Sequence, residues 1–60
     1  MPWTATHYPA AMQNLPLFVR LKAIAIANAL LAEGMEEGRA IRIAIAKANQ
    51  RAYRETSRFG

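Results

Sequence analysis

Arg39, Arg42, Lys47, Arg51 and Arg54 crowd one stretch of this 60-residue chain. Guanidinium and ammonium groups contact phosphates and, from a helix, read guanine edges. Asn49 and Gln50, set among them, carry the side-chain amide that pairs with adenine. Two helices joined near a glycine are also the layout of a helix-turn-helix, whose second helix enters the major groove. Two features weigh against that use. The cations cover a wide arc, and Glu36 and Glu37 stand where a recognition helix begins and would repel phosphate. Solvated surface cations are the plainer reading. Nucleic-acid contact through Arg39, Arg42, Lys47, Arg51 and Arg54 is the alternative.

Catalytic chemistry has little to work with. There is no cysteine, hence no thiolate nucleophile, disulfide or thiolate-held zinc. His7 is the sole histidine and lies among turn-forming residues, as a surface group rather than a metal ligand. Ser57 is far from it in sequence. Of the acids Glu33, Glu36, Glu37 and Glu55, three cluster where helix capping explains them. Gly34 and Gly38 match no phosphate-binding loop. No catalysis, no cofactor and no metal are expected.

Eight basic and four acidic residues give a net charge of +4, which favours anionic partners only in a general way. Six of the cations, counting Arg58, fall from Arg39 onward against the single acid Glu55. No secretory signal opens the chain, and Lys22 and Asn28 interrupt its longest apolar stretch. A cytoplasmic location is the expectation. Membrane-surface binding is disfavoured, because an alanine-rich apolar face inserts poorly.

Two helices must position these groups. The first begins near Asn14 to Pro16, with Asn14 able to cap and Pro16 suited to the first turn. It runs through the alanine-rich segment Leu17 to Ala32. Glu33-Gly34 is the stop, with Gly34 in the left-handed conformation. The second starts around Glu36 or Glu37 and continues unbroken from Arg39 through Arg54. Gly38 near its start offers a place for another backbone to approach. Thr56 to Gly60 should fray, with Phe59 free to fold back on the core. Residues 1–14 form an arm that Pro2 and Pro9 keep from being one helix. Its Trp3, Tyr8 and Met12 are expected to pack on the helices, closing a core too thin to stand alone. The expected fold is all-α: a single domain in which a two-helix hairpin (15–60) carries an N-terminal arm (1–14).

The helix faces differ. On the second, Ile41, Ala44, Ile45, Ala48 and Ala52 form one apolar stripe, with Ile43 on the wet side. On the first, Leu17, Leu21, Ile24 and Leu31 fall on one side with Asn28 among them. Val19, Ile26 and Leu30 fall roughly opposite. A helix apolar almost all round is buried almost all round, and one neighbour cannot cover both sides. Either the arm or a second copy of the chain must cover the other. Leu17, Leu21, Ile24, Leu30 and Leu31 are the candidate interface residues.

Several runs are distinctive. They are Asn14-Leu15-Pro16 with Val19-Arg20, Lys22 through Leu31, Glu33-Gly34, and Glu36-Glu37-Gly38-Arg39-Ala40-Ile41 followed by Ile43-Ala44. With Met1-Pro2-Trp3 and Tyr8-Pro9, they resemble a group of very short bacterial proteins of unknown function. Some of these are described as stress-associated, or as similar to ChaB-type cation-transport regulators. The resemblance spans residues 1–54 and implies a compact helical bacterial protein. It implies no catalytic or binding residues. Group members often carry a longer acidic or polar tail, where this chain has Arg54, Arg58, Phe59 and Gly60. The function expected is a small, non-catalytic interaction or accessory module whose partner is a second copy or another protein.

Overall fold

The computed structural model describes residues 3–57, with side chains described through Arg51. Helix α1 spans Leu17–Ala32 and helix α2 spans Glu37–Ser57. A short 3₁₀ turn, Ala10–Met12, lies in the arm that precedes them. The two helices pack on each other, and the arm lies against them. This is the all-α hairpin that the sequence predicts.

Proline and glycine set the boundaries. Pro16 holds φ −55° and its carbonyl accepts from Arg20 N at 2.8 Å, so Pro16 is itself the cap. Asn14 stands two residues too early to reach the first-turn N–H groups, and no side chain caps this end. The expected Asn14 cap is corrected accordingly. At the other end, Gly34 N donates to Leu31 O at 2.9 Å and Met35 N to Leu30 O at 3.1 Å. With Gly34 at φ +92°, this is a Schellman closure. Glu36 O then accepts from Ala40 N at 2.9 Å and opens α2. Ser57 is still helical, so the fraying expected from Thr56 does not begin there. Phe59 lies outside the described residues.

Alanine dominates the core. Ala23, Ala27, Ala40, Ala44 and Ala48 are fully buried, and Val19 and Ile24 nearly so. Val19, Ala23 and Ala27 repeat every fourth residue on α1, as Ala40, Ala44 and Ala48 do on α2. Rows at that spacing form the ridges that interlock two helices, and small side chains let the axes approach closely. Ile41 and Ile45 flank the seam, half-buried, as the expected stripe places them. Ala40 was missing from that stripe, and the Ala52 side chain is outside the described set.

Alanines alone bury too little surface to hold a domain of this size. The arm supplies the rest. Thr4 and His7 exchange backbone bonds of 2.8 and 3.1 Å in a tight turn. The 3₁₀ turn, closed by Met12 N to Pro9 O at 2.9 Å, then drives Met12 into the core with no exposed surface. Trp3, Tyr8 and Leu15 pack around it, half-buried.

The two interior glycines should respond oppositely to alanine. Around Gly34 there is open space, so Gly34→Ala meets only the backbone penalty of its positive φ, about 1 kcal/mol destabilising. At Gly38 an added Cβ meets only Glu36 Oε1, at an ordinary 3.8 Å. Among the described residues no other backbone approaches there, which corrects the sequence expectation. Gly38→Ala should therefore stabilise by about 0.5 kcal/mol through helix propensity. Paired thermal melts check both signs.

Candidate interaction surfaces

Among the described residues, three surfaces offer something to a partner. The first is the outer face of α1. Leu17, Phe18 and Leu21 are 60%, 52% and 44% exposed. At about 100° per residue they share one arc, about 120° wide, with the exposed alanines 25, 29 and 32. Lys22 edges this arc, its Nζ 5.4 Å from the centre of the Phe18 ring. Of the expected interface residues, Leu17 and Leu21 lie on this face. Ile24 is in the core, and Leu30 and Leu31 are half-buried. Phe18 had not been expected there. Its signal was its position one residue from Leu17 and three from Leu21, on a helix with no polar face.

The second surface is the outer side of α2. Arg39, Arg42, Lys47 and Arg51 are all exposed. They do not form one patch. Lys47 and Arg51, four apart, share one side of the helix. Arg39 and Arg42 are turned from them by about 80° or more and lie near the interhelical turn. The Arg54 side chain lies outside the described residues, although its place in the helix puts it seven positions on from Lys47.

The third is an open concavity of about 530 Å³ at the interhelical turn, lined by Glu33, Gly34, Met35, Glu36, Arg39 and Arg42. Its charges are mixed and Met35 is its one large apolar group. A small-molecule site is usually apolar and enclosed. Among the described residues no group of His, Asp and Glu could hold a metal ion.

Two polar anchors hold the arm in place, and neither was legible in the sequence. Asn28 Oδ1 accepts from Trp3 N at 2.8 Å, while Asn28 Nδ2 donates to Trp3 O at 2.9 Å. One side-chain amide thus satisfies both backbone groups of a residue 25 positions away. Arg20 Nη2 donates to Leu15 O at 3.0 Å, and its guanidinium lies 4.8 Å from the Tyr8 ring centre. Its Nε is buried without a partner. Guanidinium stacking on an aromatic face offsets part of that loss. These anchors keep the arm on one side of α1 and leave the Leu17–Phe18–Leu21 face uncovered.

Among the described residues no helix is long and apolar enough to cross a membrane. No family model and no solved structure matches the chain. It is similar to the uncharacterized protein YdaT of Bacillus subtilis (strain 168), with 58% identity over 50 residues. The match takes in 83% of this chain and 33% of that protein, so the chain spans about a third of the length of the curated relative it matches. The likeness is thus to an uncharacterised bacterial protein.

Proposed function

We propose that this chain is a non-catalytic, cytoplasmic protein-interaction module whose contact surface is the outer face of α1. One observation carries the reading: Leu17, Phe18 and Leu21 are exposed together, on a face that the arm leaves bare. Large apolar side chains gathered on one face mark interaction sites more often than the same residues scattered singly. Aromatic groups on such a face are the usual anchors of an interface.

The test is in-cell photocrosslinking with Phe18→p-benzoylphenylalanine. A discrete crosslinked protein product is expected, and adding Leu21→Glu should reduce it tenfold or more, roughly the weight of one interface anchor. Leu21 is exposed, so far-UV circular dichroism should stay unchanged. Absence of any crosslinked product would overturn the reading.

The cations of α2 support a second reading, nucleic-acid contact through Lys47 and Arg51. Binding of that kind falls steeply as salt rises, whereas apolar docking on α1 does not. The resemblance to stress-associated and ChaB-type proteins supports a third, an accessory role beside a cation transporter. We rank it below the other two because it rests on analogy and on no group of this chain.

A further inference from the structure

We infer that the partner taken by the α1 face is an acidic amphipathic helix, its apolar side on Leu17, Phe18 and Leu21 and its carboxylates against Lys47 and Arg51 of α2. The inference rests on the reading of α1 as the contact surface. It adds the charge of what binds there and the side from which that charge is met.

The arm divides the hairpin into a covered side and an open one. On α1, Asn28 belongs to the covered side, because it bonds the backbone of Trp3. Phe18 stands about 80° from Asn28 around the helix, toward the open flank. On α2, Ile43 and Ile45 stand about 100° to either side of the row Ala40, Ala44, Ala48. Ile45 packs against the core cluster together with Trp3, Tyr8 and Leu15 of the arm, whereas Ile43 lies outside that cluster. Lys47 and Arg51 fall on the Ile43 half of α2, and both are exposed. They therefore stand on the open side, the side to which Phe18 turns.

Height along the hairpin places them beside the bulky part of the apolar face. Helix α1 ends at Ala32 and α2 begins at Glu37, with the turn between them. Counted back from that turn at equal rise, Lys47 and Arg51 are level with residues 17–22 of α1. Lys22 adds its charge to the same edge, but it is engaged with the Phe18 ring, and the pairing does not draw on it.

Charge complementarity then selects the partner. From Gly38 to Arg54 the second helix carries five cations and no acid. Glu33, Glu36 and Glu37 sit by the turn, at the other end of the hairpin from Arg51. A segment with cations on this flank is repelled, and one with carboxylates is drawn in and oriented. The apolar face calls for a helix. Leu17, Phe18 and Leu21 offer anchors at helical spacing, and alanines 25, 29 and 32 leave the rest of the face low enough for a second helix to lie close. A nucleic-acid backbone would meet the cations alone and leave the leucines in water.

The test is fluorescence anisotropy of the full chain with two labelled synthetic peptides of about 20 residues, long enough to be helical. One is built of leucine, alanine and glutamate, with leucines at helical spacing; in the other every glutamate is lysine. At low salt the glutamate peptide should bind at least about tenfold tighter than the lysine peptide. Leu21→Glu should abolish its binding. Lys47→Glu with Arg51→Glu should weaken it about tenfold or more, whereas Arg39→Glu with Arg42→Glu, the same change of net charge near the turn, should leave it within about threefold. All these residues are exposed, and circular dichroism checks that each variant folds. A glutamate peptide that binds no tighter than the lysine peptide, or that both pairs of reversals weaken alike, overturns the inference. So does its displacement from Lys47 and Arg51 by an oligothymidine strand or by phosphatidylglycerol vesicles at lower concentration. If Lys47→Glu with Arg51→Glu leaves the position-18 crosslink intact while Leu21→Glu removes it, the acidic partner is overturned and the interaction reading stands. If no crosslink forms at all, both fail.

Discussion

Replacing Met12 with alanine should remove about 2–5 kcal/mol of stability. A domain of this length has only about 3–9 kcal/mol in total. Among the described residues Met12 is the one large side chain with no exposed surface; the other fully buried ones are alanines. Truncating it leaves a void that the alanine seam cannot collapse into, because the two helices are already in close contact. Met12→Leu, of similar volume, should cost less than about 1.5 kcal/mol. Urea denaturation followed by circular dichroism reads both variants. A loss below about 0.5 kcal/mol for Met12→Ala, the range typical of surface substitutions, would show that the arm is not part of the core.

Asn28→Asp is the second large effect, about 1–3 kcal/mol destabilising. The substitution barely changes shape. An ionised carboxylate still accepts from Trp3 N, but it has no hydrogen to give Trp3 O and sets two acceptors face to face. The expected outcome is a fall in Tm of about 4–8 °C per kcal/mol lost. Emission from Trp3, the only tryptophan, should shift to the red as the arm loosens. Unchanged emission and Tm would mean that the Trp3–Asn28 bonds contribute nothing to holding the arm.

Much of the hairpin is legible in the sequence because its signals are local. Gly34 marks a helix end by conformational freedom alone, and the three residues around it complete the closure. On α2 the apolar residues gather on one side, so periodicity finds the face that packs. On α1 the same method fails for a physical reason. Apolar residues surround the whole helix, so no side stands out. Weighting by size then favours Leu17 and Leu21, which are exposed, over Ala23 and Ala27, which are buried. The interior selects for close approach of two backbones, and bulk on that face would prevent it.

Asn28 shows the other limit. As a polar residue within an apolar run it is conspicuous, yet what it binds is main chain, 25 residues earlier. Backbone atoms are the same at every residue, so no residue type reveals the partner. The Arg20–Tyr8 stack escapes notice for a related reason: the arm's path brings together groups that no helical spacing connects. Of the basic residues, sequence shows their number and their helix. Only the fold separates Arg39 and Arg42 at the turn from Lys47 and Arg51 along the shaft.

The way Trp3 is fastened to Asn28 also bears on the order in which the chain assembles. The α1–α2 seam joins segments that are neighbours in sequence, linked by a turn of a few residues, and so closes early and fast. The arm has nothing to dock on until that seam exists, because Met12 enters a cleft that both helices form. Its bonds to Asn28 are therefore expected to form last, so that Asn28→Asp should speed unfolding and leave the folding rate nearly unchanged in stopped-flow kinetics. Interactions formed that late leave the folding rate nearly untouched and act on the unfolding rate. On that expectation the arm is a latch: it would set how long the folded molecule persists, and the seam how quickly it appears.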